Sequence, residues 1–142
     1  MPSTIHIGQA HLERLIRHAT RQQPSECCGL LIGKSEGAGT RVERIVEARN
    51  IAKGDHTRSY QIDWSTLLTA MAELRRQPER IVGFYHSHPD GSARPSRRDA
   101  ESAWPNQSYL IIAMQGDGCS SVTSWTLSHA DAPFMPQSVL VT

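Results

Sequence analysis

Ile81-Val82-Gly83-Phe84-Tyr85-His86-Ser87-His88-Pro89 runs from an apolar stretch directly into two histidines. Residues 81–85 show no polar alternation, which predicts an interior strand covered on both faces. Pro89 ends it. Side chains of an extended chain alternate between faces, so His86 and His88 point the same way. Pro95-Ser96-Arg97-Arg98-Asp99 follows after a loop containing Gly91. Two imidazoles, one carboxylate and an open position make the ligand set of a catalytic zinc rather than a structural one. Iron(II) is suited by the same set.

Local explanations compete with a metal. A lone His-x-His pair is common and can be incidental. Ser96 is a good N-cap, and Asp99 would then be an acidic residue in the first helical turn. These readings weaken when all the elements meet at one strand-to-helix junction. A metal hydrolase also needs a general base and an oxyanion stabiliser. Ser96, at the same helix start as Asp99, can turn its hydroxyl toward a metal. Ser87 points to the opposite strand face. Residue chemistry does not single out the base, because Glu26, Glu36, Glu43, Glu47 and Glu101 are all available.

Outward from this stretch, helices and strands alternate. Residues 11–21 read as an amphipathic helix with Leu12, Leu15, Ile16 and Ala19 on one face and His11 and His18 solvated. Pro24-Ser25 breaks it, and residues 27–33 read as a buried strand beginning just after Glu26. A polar turn over 34–39 and a β-branched strand over 41–48 complete a hairpin. Residues 59–62 read as a short strand, and Asp63 caps a helix with Trp64, Leu67, Leu68, Met71 and Leu74 as its apolar stripe. Ser96 starts a short helix reaching about Trp104. Strands over 109–114 and 122–127, joined by a turn at Gly116-Asp117-Gly118, are hairpin partners. A last strand covers 138–141. The pattern predicts one α/β unit, a mixed sheet with helices against it.

Composition removes several classes. The 142 residues suffice for one full core, and a formal net charge of +1 gives no general attraction to nucleic acid or membrane. Arg94, Arg97 and Arg98 form a local basic group, read as solvated. There is no membrane-length apolar run and no leader at Met1-Pro2-Ser3-Thr4, so the expected location is cytoplasmic. Cys27, Cys28 and Cys119 are an odd set without a Cys-x-x-Cys spacing. They read as small thiols, the first two buried, and not as a disulfide framework or a zinc ribbon.

Glu26, His86-Ser87-His88-Pro89 and Pro95-Ser96-x-x-Asp99 together resemble the signature of the JAMM (MPN-plus) metalloproteases. The run Ser25-Glu26-Cys27-Cys28-Gly29-Leu30-Leu31-Ile32-Gly33, with Asn50 and Tyr60-Gln61-Ile62-Asp63, is similar to the compact bacterial and archaeal members. The resemblance spans nearly the whole chain and implies one metalloprotease domain over 1–142. The implied fold is a curved mixed β-sheet flanked by helices, of the cytidine-deaminase-like kind. It implies one Zn2+ per chain on His86, His88 and Asp99, with Glu26 as general base to the zinc-bound water and Ser96 at the oxyanion. The implied substrate is a ubiquitin-like sulfur-carrier protein, cut after its C-terminal Gly-Gly. The cut would remove either a peptide extension or a single amino acid such as cysteine. An extended carrier tail could add to a sheet edge near the metal, and a sheet edge would also allow a homodimer. Two alternatives remain at this point. One is a non-catalytic MPN scaffold, which would lose ligands that this chain keeps. The other is a non-haem iron oxygenase, whose triad usually sits on an all-β barrel with a distant third histidine.

Overall fold

A computed structural model describes residues 3–116 and 118–142. Met1 and Pro2, at the start of the stretch read for a leader, and Asp117, in the expected turn, lie outside the described residues. The element order is β1 (Thr4–Ile7), α1 (Gln9–Gln22), β2 (Cys28–Glu36), β3 (Gly39–Ala48), α2 (Trp64–Leu74), β4 (Arg80–His88), α3 (Arg97–Ser102), β5 (Ser108–Gln115), β6 (Gly118–Thr126) and β7 (Met135–Val141).

The strands pair in the order β1-β3-β2-β4-β5-β6-β7, and β1 also pairs with β7, so the sheet closes into a barrel. Both expected hairpins are present: β2 with β3, where Leu30 faces Val46, and β5 with β6, where Ile112 faces Val122. β4 lies between β2, antiparallel, and β5, parallel, which makes it the interior strand that its apolar run predicts. A register shift between Leu31 and Ile32 leaves Val82 as an extra residue in β4. Such a bulge resets the alternation of faces. Next to it, a Cβ on Gly83 would run into the Ser108 carbonyl, so only glycine fits.

β2 is buried and without polar alternation from Cys28 to Gly33 because its two faces pack against different helices. Leu31 joins Leu15 and Ala19 of α1, with Ile5, Val82, Tyr85, Leu110 and Ile112. Leu30 and Ile32 join Leu67 and Ala70 of α2, with Phe84 and Tyr109. Cys27 and Cys28 are buried free thiols, as expected, while Cys119 is half-buried. No helix among the described residues is long and apolar enough to cross a membrane.

Several expectations are corrected. His18 is not solvated: it is buried, and its Nδ1 lies 2.9 Å from the Tyr85 hydroxyl. The apolar residues of α2 divide between two faces. Leu67 and Ala70 turn inward, whereas Trp64, Leu68 and Met71 are at least half exposed (59, 59 and 50%). Residues 59–62 form no strand, only an isolated bridge from Ile62 to Asn50. The hairpin strands run on to Glu36 and resume at Gly39, so the turn is shorter than the polar composition suggests. β1 had no sequence signal beyond Ile5 and Ile7. Every named strand has two neighbours, but β3 pairs with β1 only at Thr40 and Arg41 and β6 with β7 only at Ser124, Trp125 and Thr126, so the edge expected for tail addition or a dimer is confined to the singly paired stretches of these strands.

Candidate metal centre

The two histidines end β4 and face the same side, as alternation requires. Ser96 caps α3: its Oγ accepts from the Asp99 backbone N–H at 3.1 Å, and the Asp99 carboxylate accepts from the Ser96 N–H at 2.7 Å. This reciprocal box holds Asp99 in one rotamer. The capping explanation and the metal explanation are therefore the same geometry. Asp99 Oδ2 lies 3.1 Å from His86 Nε2 and 3.1 Å from His88 Nε2, and the two nitrogens are 3.1 Å apart.

The donor set fits a tetrahedral ion. Ligand atoms about 2.0–2.1 Å from a zinc sit roughly 3.3 Å from one another, close to the observed triangle. The His88 tautomer agrees. Its Nδ1 is 2.9 Å from the Ser92 carbonyl, which can only accept, so Nδ1 carries a proton and Nε2 is the ring nitrogen left to face Asp99 and to serve as a ligand. Burial works to raise the Asp99 carboxyl, but the histidines and the Ser96 N–H outweigh it and hold it well below the usual carboxylate range. Burial lowers His86, which is fully enclosed. For His88 the Asp99 carboxylate outweighs burial and raises it.

Glu26, sixty residues before His86, ends beside them. One ligand atom each from Glu26, His86 and His88 lies within 4.8 Å of the others. The Glu26 side chain is buried, with Oε1 making no hydrogen bond. Burial pushes its carboxyl up to about 8. Of the five glutamates open to choice in the sequence, only this one is buried; Glu36, Glu43 and Glu101 are exposed, and Glu47 pairs with Arg14 and Arg21. Ser87 faces away from the triad, and its Oγ accepts the Cys27 N–H at 2.8 Å.

Two clefts flank the triad. One, of about 560 Å³, is lined by Glu26, His88 and Ser96 with Arg58, Arg94 and Asp90. The other, of about 590 Å³, is lined by Asp99 with Tyr60, Trp64, Phe84, Trp104 and Tyr109. Sequence reasoning missed both the aromatic lining and the stacking of Tyr60 on His86, whose ring centroids are 4.4 Å apart at 21°. No sequence signal pointed to this, because Trp64 reads there as part of the buried stripe of α2 and only the structure shows it exposed.

Residues 8–128 match the family described as prokaryotic homologs of the JAB domain, and the chain belongs to that family. Within it, the chain is 33% identical over 112 residues to a probable TtuB-protein conjugate cleaving protease of Thermus thermophilus, covering 79% of this chain and 72% of that one. It is 32% identical over 109 residues to a desampylase of Haloferax volcanii, covering 76% and 75%. A solution structure of a protein from Desulfitobacterium hafniense superposes with a TM-score of 0.81 at 28% identity, over 97% of this chain and 92% of that one.

Proposed function

We propose that this chain is a zinc-dependent peptidase or isopeptidase that cuts after the C-terminal Gly-Gly of a ubiquitin-like carrier protein. The observation that carries the reading is the 3.1 Å triangle of His86, His88 and Asp99 with a buried Glu26 beside it. The similarity to proteins named as a conjugate-cleaving protease and a desampylase supports the substrate class.

His86, His88 and Asp99 would hold the zinc. When bound, that ion supplies a Lewis acid that polarises a carbonyl and acidifies water. Glu26 is the proton carrier. Its buried carboxyl, beside the histidines, is placed to take a proton from the attacking water and return it to the leaving nitrogen. The leaving amine must then lie within reach of Glu26, in the cleft lined by Glu26, His88 and Ser96. The acyl side, the carrier tail, takes the aromatic cleft beyond Asp99. Ser96 Oγ already accepts one hydrogen bond from the Asp99 N–H, so its own O–H is free to donate to the oxyanion. Trp64, Leu68 and Met71 on α2 offer an apolar surface at the rim of the acyl cleft for the carrier's folded body.

The test is mass spectrometry of carrier proteins extended past Gly-Gly, or joined through it to a lysine side chain, after incubation with zinc-loaded protein. Products ending in Gly-Gly, at one zinc per chain, are expected. Carriers left intact by zinc-loaded protein would point to a binding scaffold. Stoichiometric iron with oxygen-dependent turnover would replace the hydrolase with an oxygenase.

A further inference from the structure

Residues 49–63 connect β3 to α2 and belong to no part of the metal signature, yet they touch both halves of the site. The segment is closed at its base by Asp63, which accepts from the Arg49 N–H at 2.8 Å and also caps α2. Asn50 uses all of its strong hydrogen-bonding capacity inside it. Its Nδ2 donates to the Glu26 carbonyl at 3.1 Å and the Ser59 carbonyl at 2.9 Å, and its Oδ1 accepts from the N–H groups of Ala52 at 3.0 Å and Gln61 at 3.2 Å. The Glu26 N–H donates to the His56 carbonyl at 2.7 Å. The peptide groups on both sides of the Glu26 Cα are thus tied to this one segment.

Ten residues further on, Tyr60 lies flat on His86. A metal-ligating histidine is ordinarily oriented by a hydrogen bond on its other ring nitrogen. His86 Nδ1 is fully buried and makes none among the described residues. Ring orientation must come from packing, and the stacked ring of Tyr60 supplies it.

We propose that Asn50 and Tyr60 are positioning residues that set the two halves of the centre separately: Asn50 fixes Glu26 through its peptide, and Tyr60 fixes the plane of the His86 ring. The Asn50 half rests on the hydrolase reading above. The Tyr60 half concerns zinc affinity alone.

The experiment measures zinc affinity by competition with a chromophoric chelator, and kcat and KM on a carrier substrate. Tyr60→Leu should weaken zinc binding about 10–100-fold, the range typical for loss of a group that orients a ligand, while Tyr60→Phe, which keeps the flat ring, should stay within about threefold of the parent. Asn50→Ala should keep parental zinc affinity and lose about tenfold or more in kcat, with KM within about twofold. If Asn50→Ala does not fold, Asn50→Asp, which retains the two accepted bonds, replaces it with the same expectation. Parental zinc affinity in folded Tyr60→Leu overturns the Tyr60 half. Parental kcat in either Asn50 variant overturns the Asn50 half. A parent that binds zinc and cleaves nothing defeats the hydrolase reading but leaves the Tyr60 result standing.

Discussion

The two faces of β4 do different work over its last four residues. His86 and His88 turn to the Asp99 side, where both Nε2 atoms converge on the Asp99 carboxylate at 3.1 Å. Tyr85 and Ser87, between and before them, turn to the α1 side, where the Tyr85 hydroxyl meets His18 and Ser87 Oγ holds the Cys27 N–H. One face spends polar groups on a triangle of donors, and the other uses them to lock neighbouring chain segments. Substitutions on the first face should therefore remove chemistry and spare stability, and those on the second should do the reverse.

The sharpest break is on the chemical face. His88→Ala should bind no zinc in the competition assay and show no cleavage, because two remaining ligands do not hold the ion in a closed set. Glu26→Gln should keep zinc and lose roughly 10²–10⁴-fold in kcat, the scale of general acid–base catalysis. Ser96→Ala should lose about 10²–10³-fold in kcat with zinc retained, the scale of one oxyanion donor. If Ser96→Ala lowered the melting temperature and left kcat unchanged, Ser96 would be a cap only.

Ser87→Ala tests the border between the faces. It leaves the buried Cys27 N–H without its acceptor, which costs about 1–3 kcal/mol in the urea unfolding free energy. Cys27 follows Glu26 directly, so kcat should also fall, by less than in Glu26→Gln, with zinc affinity unchanged. A variant of parental stability and kcat would detach Ser87 from the base.

The meeting of His86, His88 and Asp99 on one face was legible in the sequence because these residue types coincide at one strand-to-helix junction. Two histidines at strand spacing, a Ser-x-x-Asp at a helix start and an apolar strand before them leave few other uses, and β4, the two hairpins and the Asp63 cap followed from period and turn chemistry. Which glutamate is the base was not legible from residue chemistry. Glu26 stands apart from its rivals by burial and by lying beside His86 and His88, both tertiary properties, and in the sequence only the family resemblance proposes it as the base. The supporting face was misread where a polar residue shares an apolar stripe. His18 stands three residues after Leu15 and beside Ala19, on the buried side of α1, but its type suggested solvent. Its partner Tyr85 is 67 positions away, and no local pattern joins them. The closure of the barrel was hidden for the same reason: β1 is four residues long and pairs in parallel with β3 and with β7, more than 130 positions away.

The smallest effect expected is on the supporting face, and it concerns acid stability. Burial lowers the His18 imidazole below its ordinary value near 6.5, with Arg21 and Arg14 acting in the same direction and Glu47, 4.0 Å away, opposing them. The folded chain then binds this proton less readily than the unfolded chain. Stability from a neutral His18 is complete above the unfolded value near 6.5 and is lost as the pH falls through the lowered folded value. In His18→Gln the side chain can still bond the Tyr85 hydroxyl but cannot take up a proton. The variant should be less stable than the parent at pH 7.5, through imperfect packing, and the gap in urea midpoint should narrow by pH 5. Zinc-free protein is the right sample for both, so that proton competition at His86 and His88 is common to the pair. A gap that widens on acidification would mean that His18 is protonated in the fold and bound to Glu47, and the supporting face would then contain an ion pair in place of a neutral hydrogen bond.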